Sequence, residues 1–284
     1  MPGRLRSQYG LTKGSADHGN DAVAGFWKGV RVSDSAKGPR VALFATCIND
    51  MMFASTPKAV VTVLERLGCT VEFPMAQTCC GQMFTNTGYY DAAVPAVRAY
   101  VDAFAGYDYI VAPSGSCTGS VRHQHPMLAR HAGDERLIQR VDAIVGKTYD
   151  FSEFLVDVMG VTDVGGYFPH KVVYHPTCHS VRVAKVGDRP LRLLRAVKGI
   201  QVLELNDSDQ CCGFGGTFSI KNPDVSVAMG ADKARNVIDS GAEYLITGDN
   251  SCLMHIGGLL HRQNAGVKPI HLAEVLAQTE GALR

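Results

Sequence analysis

The sequence predicts an α/β protein of two pseudo-symmetric lobes, each a mostly parallel sheet flanked by helices, with cysteines at the C-terminal strand ends. From residue 40 onward, short apolar runs alternate with segments of helical periodicity, a pattern typical of parallel sheets covered by helices. One arrangement of cysteines also occurs twice, offset by 131 to 135 residues, which is the size of a domain. We therefore expect one cysteine-containing domain at 40–165 and a second at 166–284, after an N-terminal tail at 1–39.

The tail is predicted to be flexible because residues 1–39 are rich in Gly, Ser, Lys, Arg and Asp and have little apolar periodicity. Its aromatic pair, Phe26 and Trp27, is expected to dock on the protein's own surface, with a partner's surface as the alternative. The segment after Met1 lacks the apolar run of a signal peptide, and no stretch approaches the ~18 apolar residues of a membrane span. We therefore expect a cytoplasmic protein. A net charge of +1 predicts no general attraction to nucleic acid or to an anionic membrane.

Strands and helices are predicted in the same order in both halves. Apolar runs predict strands at 41–45, 71–73 and 109–112, and helical spacing predicts helices at 57–67 and 91–104. The second half repeats this order with strands near 171–174, 201–205 and 244–247 and helices near 190–197, 224–239 and 251–263. Ligands of such folds lie beyond the carboxyl ends of the strands. Since the repeated cysteines lie at or just after predicted strand ends, we expect those of each half to converge at one sheet edge.

Eight of the nine cysteines belong to the repeat. In each half a single cysteine precedes an adjacent Cys-Cys-Gly, and another single cysteine follows it. The intervals are 31 and 36 residues in the first half and 32 and 39 in the second. The pattern predicts two four-thiolate sites, named here the first quartet and the second quartet. The first quartet is Cys47, Cys79, Cys80 and Cys117, and the second quartet is Cys178, Cys211, Cys212 and Cys252.

Three roles compete for these thiols: disulfides, buried apolar side chains, and metal or iron–sulfur ligation. Adjacent cysteines form a disulfide only in a strained ring, and a cytosolic chain rich in cysteine favours metal or redox chemistry. Thiolates select zinc, copper(I) and iron–sulfur clusters. Structural zinc usually takes closely spaced C-x2-4-C pairs, whereas adjacent thiolates followed by glycine suit a larger cluster. We expect an iron–sulfur cluster, of the [4Fe–4S] type and with room for one per half, and keep zinc in one half as the alternative.

The chain resembles the cysteine-rich CCG-domain family over about residues 40–280. Five strings carry this resemblance: FATCIND at 44–50, LGCTVEFP at 67–74, SGSCT at 114–118, YHPTC at 174–178 and CCGFGGTFSIK at 211–221. The family includes the B subunit of heterodisulfide reductase, the membrane-distal subunit of glycolate oxidase and the lactate utilisation proteins. Within it, the strings look most similar to those of the lactate utilisation protein A branch.

The resemblance implies an iron–sulfur electron-transfer component of a system that oxidises L-lactate to pyruvate and allows lactate to serve as a carbon source. The chain is then expected to be a subunit of an L-lactate oxidoreductase complex. Its partners would be two other lactate-utilisation subunits, one of them ferredoxin-like, and the substrate of the complex a small 2-hydroxy acid. The alternatives are a heterodisulfide-reductase-like thiol/disulfide redox subunit and a zinc-stabilised assembly factor of a redox complex.

Two positions depart from the fuller motif of that family, which has one more cysteine in each half. This chain has Ser120 and His255 at those positions. The resemblance therefore implies four thiolates per half where the heterodisulfide reductase branch uses five. Imidazole is a common metal ligand, so His255 is a further candidate ligand, with a supporting position beside the ligands as the alternative.

Other cysteine and histidine residues have simpler expected roles. Cys69 is expected to pack as a small buried thiol. His175 is expected either to hydrogen-bond a cluster sulfur or to cap the end of its strand. The remaining candidates are expected on a solvated helix face, and they are His123, His125 and His131.

Overall fold

The structure is a computed structural model that describes residues 38–283, with side chains to residue 281. The predicted tail therefore lies outside the described residues except for its last two positions, and so does its Phe26 and Trp27 pair. The described part of the chain has two four-stranded parallel sheets flanked by helices, which confirms the predicted fold class.

The two sheets have the same strand order. Their strands are β1 (Arg40–Leu43), β2 (Thr70–Glu72), β3 (Tyr109–Ala112), β4 (Thr148–Asp150), β5 (Lys171–His175), β6 (Gln201–Leu203), β7 (Tyr244–Thr247) and β8 (Lys268–His271). The order is β2-β1-β3-β4 in the first sheet and β6-β5-β7-β8 in the second. Val41 pairs with Tyr109, and Val172 pairs with Tyr244 at the equivalent position, so the register is repeated as well.

The structure has one more strand at an outer edge of each sheet than the sequence predicts. These edge strands, β4 and β8, read TYD and KPIH and lack the apolar runs of the inner strands. Each is hydrogen-bonded to another strand on one side only, and such an edge position tolerates polar residues and proline. Their sequences therefore carry little strand signal.

The five longer helices predicted from periodicity lie within two residues of their expected positions. The helices are α1 (Cys47–Met52), α2 (Ser55–Arg66), α3 (Gln82–Asn86), α4 (Tyr90–Phe104), α5 (Gly115–Gly119), α6 (His125–His131), α7 (Glu135–Val145), α8 (Phe151–Glu153), α9 (Cys178–Arg182), α10 (Arg189–Ala196), α11 (Phe218–Lys221), α12 (Pro223–Asp239), α13 (Asn250–Arg262) and α14 (Leu272–Ala277). Single π-helical turns, Ser120–Gln124 and Phe154–Val158, follow α5 and α8, and a 3-10 turn lies at Glu280–Leu283. Within residues 38–283, no helix combines the length and apolarity needed to cross a membrane.

A hydrophobic core shared by both lobes joins them. It combines residues of β1 and α2 with residues of β5, α10 and α14. Helix α2 packs against α14, and α8 packs against α10, so each lobe contributes helices to the same interface. Each lobe has a smaller core of its own on the other face of its sheet. The shared core therefore fixes the two sheets relative to each other.

Polar contacts reinforce the interface between α2 and α14. The hydroxyls of Thr56 and Ser55 donate to the Glu274 carboxylate at 2.6 and 3.0 Å. Arg66, at the end of α2, donates to the carbonyl of Leu276 at 3.2 Å. Charge-assisted hydrogen bonds of this kind add geometric specificity to an apolar contact.

Asp150 ends β4 and caps α8. Its carboxylate accepts hydrogen bonds from the backbone N–H and the hydroxyl of Ser152, and the Glu153 carboxylate accepts one from the Asp150 N–H, which forms a capping box. Arg122 lies 2.9 Å from Glu153 and offsets its charge. Burial raises the pKa of Asp150 to about 6, and the negative charge of Glu153 adds to that rise.

We expect Asp150→Asn to change the pH dependence of stability. Because the Asp150 pKa is higher in the folded than in the unfolded chain, ionisation destabilises the wild type progressively as pH rises from about 4 to about 6. The asparagine cap does not ionise. Across this pH range, the free energy of unfolding of the variant should therefore fall by on the order of 2 kcal/mol less than that of the wild type. Urea unfolding of both metal-free proteins at a series of pH values measures the difference. If the free energies of unfolding of the two proteins changed in parallel with pH, a raised pKa of Asp150 would be contradicted.

Candidate metal-binding cavity

The quartet cysteines lie in the segments that follow the carboxyl ends of three strands in each sheet. Cys47 begins α1 after β1, and Cys178 begins α9 after β5. Cys117 lies in α5 after β3, and Cys252 lies in α13 after β7. The two Cys-Cys-Gly turns follow β2 and β6. Because all these strands are parallel, their carboxyl ends bring the segments together, as expected for a binding site in this class of fold.

The sulfur atoms of the first quartet form a continuous chain of contacts. The Sγ atoms of Cys47 and Cys79 are 3.6 Å apart, and those of Cys80 and Cys117 are 3.5 Å apart. The side chains of Cys79 and Cys80 also interact, and this contact links the two pairs into one chain. Two thiolates on one tetrahedral metal ion with bonds of about 2.3 Å would be roughly 3.8 Å apart, so each of these pairs is close enough to bind a single metal ion. They are far longer than the ~2.05 Å of a disulfide bond, and all nine cysteines are free.

The second quartet repeats this chain residue for residue. Cys178 interacts with Cys211, Cys211 with Cys212, and Cys212 with Cys252. In each quartet the outer pair, which begins with Cys47 or Cys178, is half-buried. The remaining members are buried: Cys80, Cys117, Cys212 and Cys252.

Hydrogen bonds between neighbouring thiols shift the pKa of one cysteine in each half-buried pair downward and that of its partner upward. The Cys47 thiol donates to Cys79 and holds the pKa of Cys79 at about 2, with help from the Gly81 N–H at 3.4 Å. The pKa of Cys47 is raised for the same reason, since losing its proton would break this hydrogen bond and create two adjacent charges. Cys211 has the equivalent low pKa of about 2. Thiolate is the form of cysteine that binds metal, so metal binding would release the remaining thiol protons.

The glycine after each cysteine pair is needed for the turn. Gly81 and Gly213 have φ angles of 82° and 90°, a region that side chains rarely occupy. Each backbone N–H points at the sulfur two residues earlier, at 3.4 Å. A Cβ on Gly213 would also lie 2.6 Å from the Ser226 carbonyl oxygen. The glycines therefore allow the backbone to donate to a thiolate at very close range.

All eight quartet cysteines line one cavity of about 430 Å³ between the lobes. Its other walls are largely apolar and include Ile48, Met83, Phe214, Ile220 and Met254. A volume of this size lies within the usual range for small-molecule sites. The two thiolate sets therefore face a common space, a property that the repeat alone does not predict.

Asp249 connects the two halves of the cavity. It caps α13, where one carboxylate oxygen accepts from the Ser251 N–H and hydroxyl at 3.2 and 2.6 Å. The other oxygen accepts from the Ser114 hydroxyl at 3.1 Å and the Ser116 N–H at 3.0 Å, at the start of α5. Ser114 in turn accepts from the Cys117 N–H at 3.3 Å. One buried carboxylate thus fixes the first turns of both helices that carry the last cysteine of a quartet.

Buried amides join the lobes beside this carboxylate. The Asn250 side-chain amide donates to the Asn49 side-chain oxygen and to the Thr56 hydroxyl, both at 2.8 Å. At the equivalent place in the other lobe, Gly115 lies against Ser180, and a Cβ there would be 1.8 Å from the Ser180 hydroxyl oxygen. This close approach requires glycine. Both contacts hold a quartet-bearing segment of one lobe against that of the other.

The predictions for cysteine and histidine residues outside the quartets are partly confirmed. Cys69 is buried in the shared core, and burial raises its pKa to about 12, in agreement with a packing role. His123 and His131 are exposed, as predicted. The prediction of a solvated face is wrong for His125, which is fully buried because it contacts the Cys80 carbonyl at 2.9 Å and packs on Tyr100.

His255, the candidate fifth ligand, lies beside the second Cys-Cys-Gly turn. Its Nε2 is 3.2 Å from the Ser226 carbonyl oxygen and 3.5 Å from the Ser226 hydroxyl. That hydroxyl donates to the Gly213 carbonyl at 2.8 Å. His255 thereby supports the turn that carries Cys212, and whether it also ligates metal stays a prediction.

Sequence reasoning missed several residues of the cavity. Asp249 followed a predicted strand, and an acidic residue before a helix is a capping signal that was available. Lys233 is fully buried under the loop before Cys211, and no pattern distinguishes it from the other lysines. Thr46, directly before Cys47, has a φ of 69° and a ψ of 150°, a strained conformation for a β-branched residue.

The fold and the cavity define a class of two-lobed α/β proteins whose repeated Cys-Cys-Gly turns bring thiols together. The profile of the cysteine-rich (CCG) domain family matches residues 41–122 and 172–257. The chain belongs to this family.

Its relatives include proteins named lactate utilization protein A. The protein from Oceanobacillus iheyensis is 46% identical over 84% of this chain and 96% of its own length. The protein from an Exiguobacterium species is 46% identical over 84% of this chain and 97% of its own. Lactate utilization protein A 2 of Bacillus mycoides is 44% identical over 84% and 98%.

A solved structure of a hypothetical protein from Helicobacter pylori has a similar fold. Its TM-score is 0.61 at 11% identity, over 84% of this chain. The chain spans about half the length of that protein, 48%. This likeness concerns the fold alone.

We expect Asp249→Ala to destabilise the whole molecule. The change removes one helix cap and leaves buried donors of both lobes without an acceptor, at a cost of about 3 kcal/mol. Chemical denaturation of the metal-free protein measures this loss. Asp134→Ala is the control, because Asp134 is only half-buried, caps α7 and pairs with Arg98 of its own lobe, so its effect should be clearly smaller. Equal losses in the two variants would show that the contact between the lobes contributes nothing.

Proposed function

We propose that this protein is an iron–sulfur electron-transfer component of an L-lactate oxidation system. The observation that carries the proposal is the arrangement of eight thiols as two matching quartets around one cavity. Soft thiolates without carboxylate ligands favour iron–sulfur clusters, zinc or copper(I), and of these only clusters and copper carry electrons. The names of the relatives supply lactate as the substrate of the system.

Each quartet provides the ligands for one centre. Cys79 and Cys211 each accept a backbone N–H, and the neighbouring thiols lower their pKa values, so both are suited to bind metal as thiolates. A bound iron–sulfur cluster would supply one-electron redox chemistry. The protein's own residues hold the centre between buried and half-buried thiolates, exclude water with apolar walls, and donate hydrogen bonds to sulfur, which tunes reduction potential. A [4Fe–4S] cluster in each half is the proposed content, with zinc in one half as the alternative.

The partner surface is proposed to lie around the cavity mouth. Five exposed apolar side chains lie on the segments that carry the cysteines or line the cavity: Met51, Met52, Met75, Met83 and Ile220. Exposed apolar side chains grouped near a functional site are typical of protein-binding surfaces, and methionine adapts to different partners. This rim supports docking of a ferredoxin-like subunit close enough to the half-buried thiolates for electron transfer. A third subunit of the system would complete the complex.

The common cavity favours one second candidate function. A small disulfide or thiol placed between the quartets would be close to both thiolate sets, as a heterodisulfide-reductase-like subunit requires. The two proposals differ in substrate and are separated by assay. With partner subunits present, anaerobic protein should support lactate-dependent reduction of an electron acceptor, and it should not reduce a small disulfide such as cystine. The reverse result would favour thiol/disulfide chemistry.

We expect Cys212→Ser to remove iron from the second half, since a hydroxyl is a harder and poorer ligand than thiolate. Anaerobic reconstitution followed by iron and sulfide quantification and EPR measures the loss, which should be about half of the bound iron if both halves hold equal clusters. Cys69→Ser is the matched control, because Cys69 is equally buried and lies in the shared core. Its iron content should equal that of the wild type. Equal iron loss in the two variants would contradict the assignment of ligands, and zinc without iron in the wild type would refute the electron-transfer role.

A further inference from the structure

The environments of the two quartets differ at two buried positions. The buried residues of α4 are spaced like those of α12, so that Tyr100 in the first lobe corresponds to Lys233 in the second. Three residues before the first cysteine of each quartet, the first lobe has Phe44 and the second has His175. Phe44 and Tyr100 pack edge to face at 5.2 Å, and the Tyr100 hydroxyl is hydrogen-bonded to the Thr148 hydroxyl at 2.8 Å. The second lobe has two nitrogen-bearing side chains in their place.

His175 has one ring nitrogen engaged and the other free. The residue is fully buried at the end of β5, and its Nδ1 lies 3.3 Å from the Ser208 carbonyl oxygen. Since a carbonyl only accepts hydrogen bonds, Nδ1 is the protonated nitrogen of this ring. Nε2 then keeps a lone pair, and it has no hydrogen-bond partner among the described residues. A buried nitrogen without a partner is costly unless something else binds it.

His175 belongs to a group of potential ligand residues. A ring nitrogen of His175 and the sulfurs of Cys212 and Cys252 all lie within 4.8 Å of one another. Ligands of one metal ion, with bonds of about 2.0 to 2.3 Å, have separations within this limit. In a metal-binding histidine, the ring nitrogen that does not bind the metal typically donates a hydrogen bond, which fixes the tautomer. The carbonyl of Ser208 supplies that hydrogen bond here.

We propose that His175 is a metal ligand of the second centre, bound through Nε2 beside Cys212 and Cys252. This inference rests on the proposed metal-binding role of the second quartet. The second centre is then a mixed cysteine and histidine site, whereas Phe44 offers no donor at the equivalent place in the first lobe. The two centres are therefore chemically different despite the repeat of their cysteines.

Lys233 strengthens this difference. Its ammonium donates to the Asp207 carbonyl and lies 3.5 Å from the carbonyl oxygen of Ser208, the same group that accepts from His175. A neutral imidazole ligand raises the reduction potential of an iron–sulfur centre, and a nearby positive charge acts in the same direction. Electrons shared between the two centres would therefore collect on the second.

Nitrogen ligation is tested on full-length protein reconstituted anaerobically with iron and sulfide. Pulsed EPR of the reduced protein should detect strong coupling to a nitrogen nucleus, and labelling of histidine with ¹⁵N should change that coupling. His175→Phe, which installs the residue of the first lobe, should abolish the coupling while the signal of the first centre stays unchanged. Potentiometric titration should show the two centres closer in potential in this variant.

Variants of two other histidines near the second quartet test the competing assignments of the nitrogen ligand. His179 has Nδ1 3.6 Å from the Cys178 sulfur, and His255 contacts Ser226. His179→Asn and His255→Asn should both retain the nitrogen coupling. Loss of the coupling in either variant would overturn the assignment to His175, and so would iron bound in the second half of the wild type without any histidine coupling.

A measurement with cobalt alone separates the two proposals. Co²⁺ added to the reduced, metal-free full chain should give thiolate charge-transfer absorption in the wild type, and its affinity should fall at least about tenfold in His175→Phe. Unchanged affinity would count against His175 as a ligand. Absence of Co²⁺ and iron binding at the second quartet in the wild type would refute the metal-binding role itself. Since the wild-type labelling experiment needs no variant, the inference stays testable even if His175→Phe fails to fold.

Discussion

The buried carboxylate of Asp249 is the contact on which the arrangement of the cavity depends. It accepts hydrogen bonds from the first turns of α5 and α13, which belong to different lobes and carry Cys117 and Cys252. A charged group is rarely left buried without partners, and here four donors surround it. Because each donor is held by a helix start, the carboxylate sets the distance between the two helices. The positions of Cys117 and Cys252 follow from that distance.

The shared core gives the same arrangement its rigidity. Helix α2 of the first lobe packs on α14 of the second, so each lobe buries part of its apolar surface against the other. With the sheets fixed in this way, the carboxyl ends of the inner strands of both lobes open toward one cavity. Two separate domains joined by a linker would leave the quartets free to move relative to each other. The shared core therefore keeps the separation of the two quartets constant.

Symmetry in the cysteines is combined with asymmetry around them. The contacts between sulfurs repeat in both lobes, and so do the glycine turns that donate to thiolate. The surrounding shell does not repeat, because Phe44 and Tyr100 are replaced by His175 and Lys233. Strain is also one-sided, since Thr46 has a φ of 69° whereas Thr177, at the equivalent place, has a φ of −48°. A duplicated scaffold can in this way hold two centres with different properties.

The sequence by itself determined the fold class, three strands of each sheet, the longer helices and the two sets of cysteines. These features depend on local periodicity and on residue types such as Gly81 and Gly213, whose conformations are set by their neighbours in the chain. The edge strands β4 and β8 escaped prediction because pairing on one side tolerates polar residues. Only the tertiary structure decided that both quartets share one cavity, that Asp249 joins the lobes and that His125 is buried. Each of these depends on contacts between segments far apart in sequence, and no local pattern encodes such a distance.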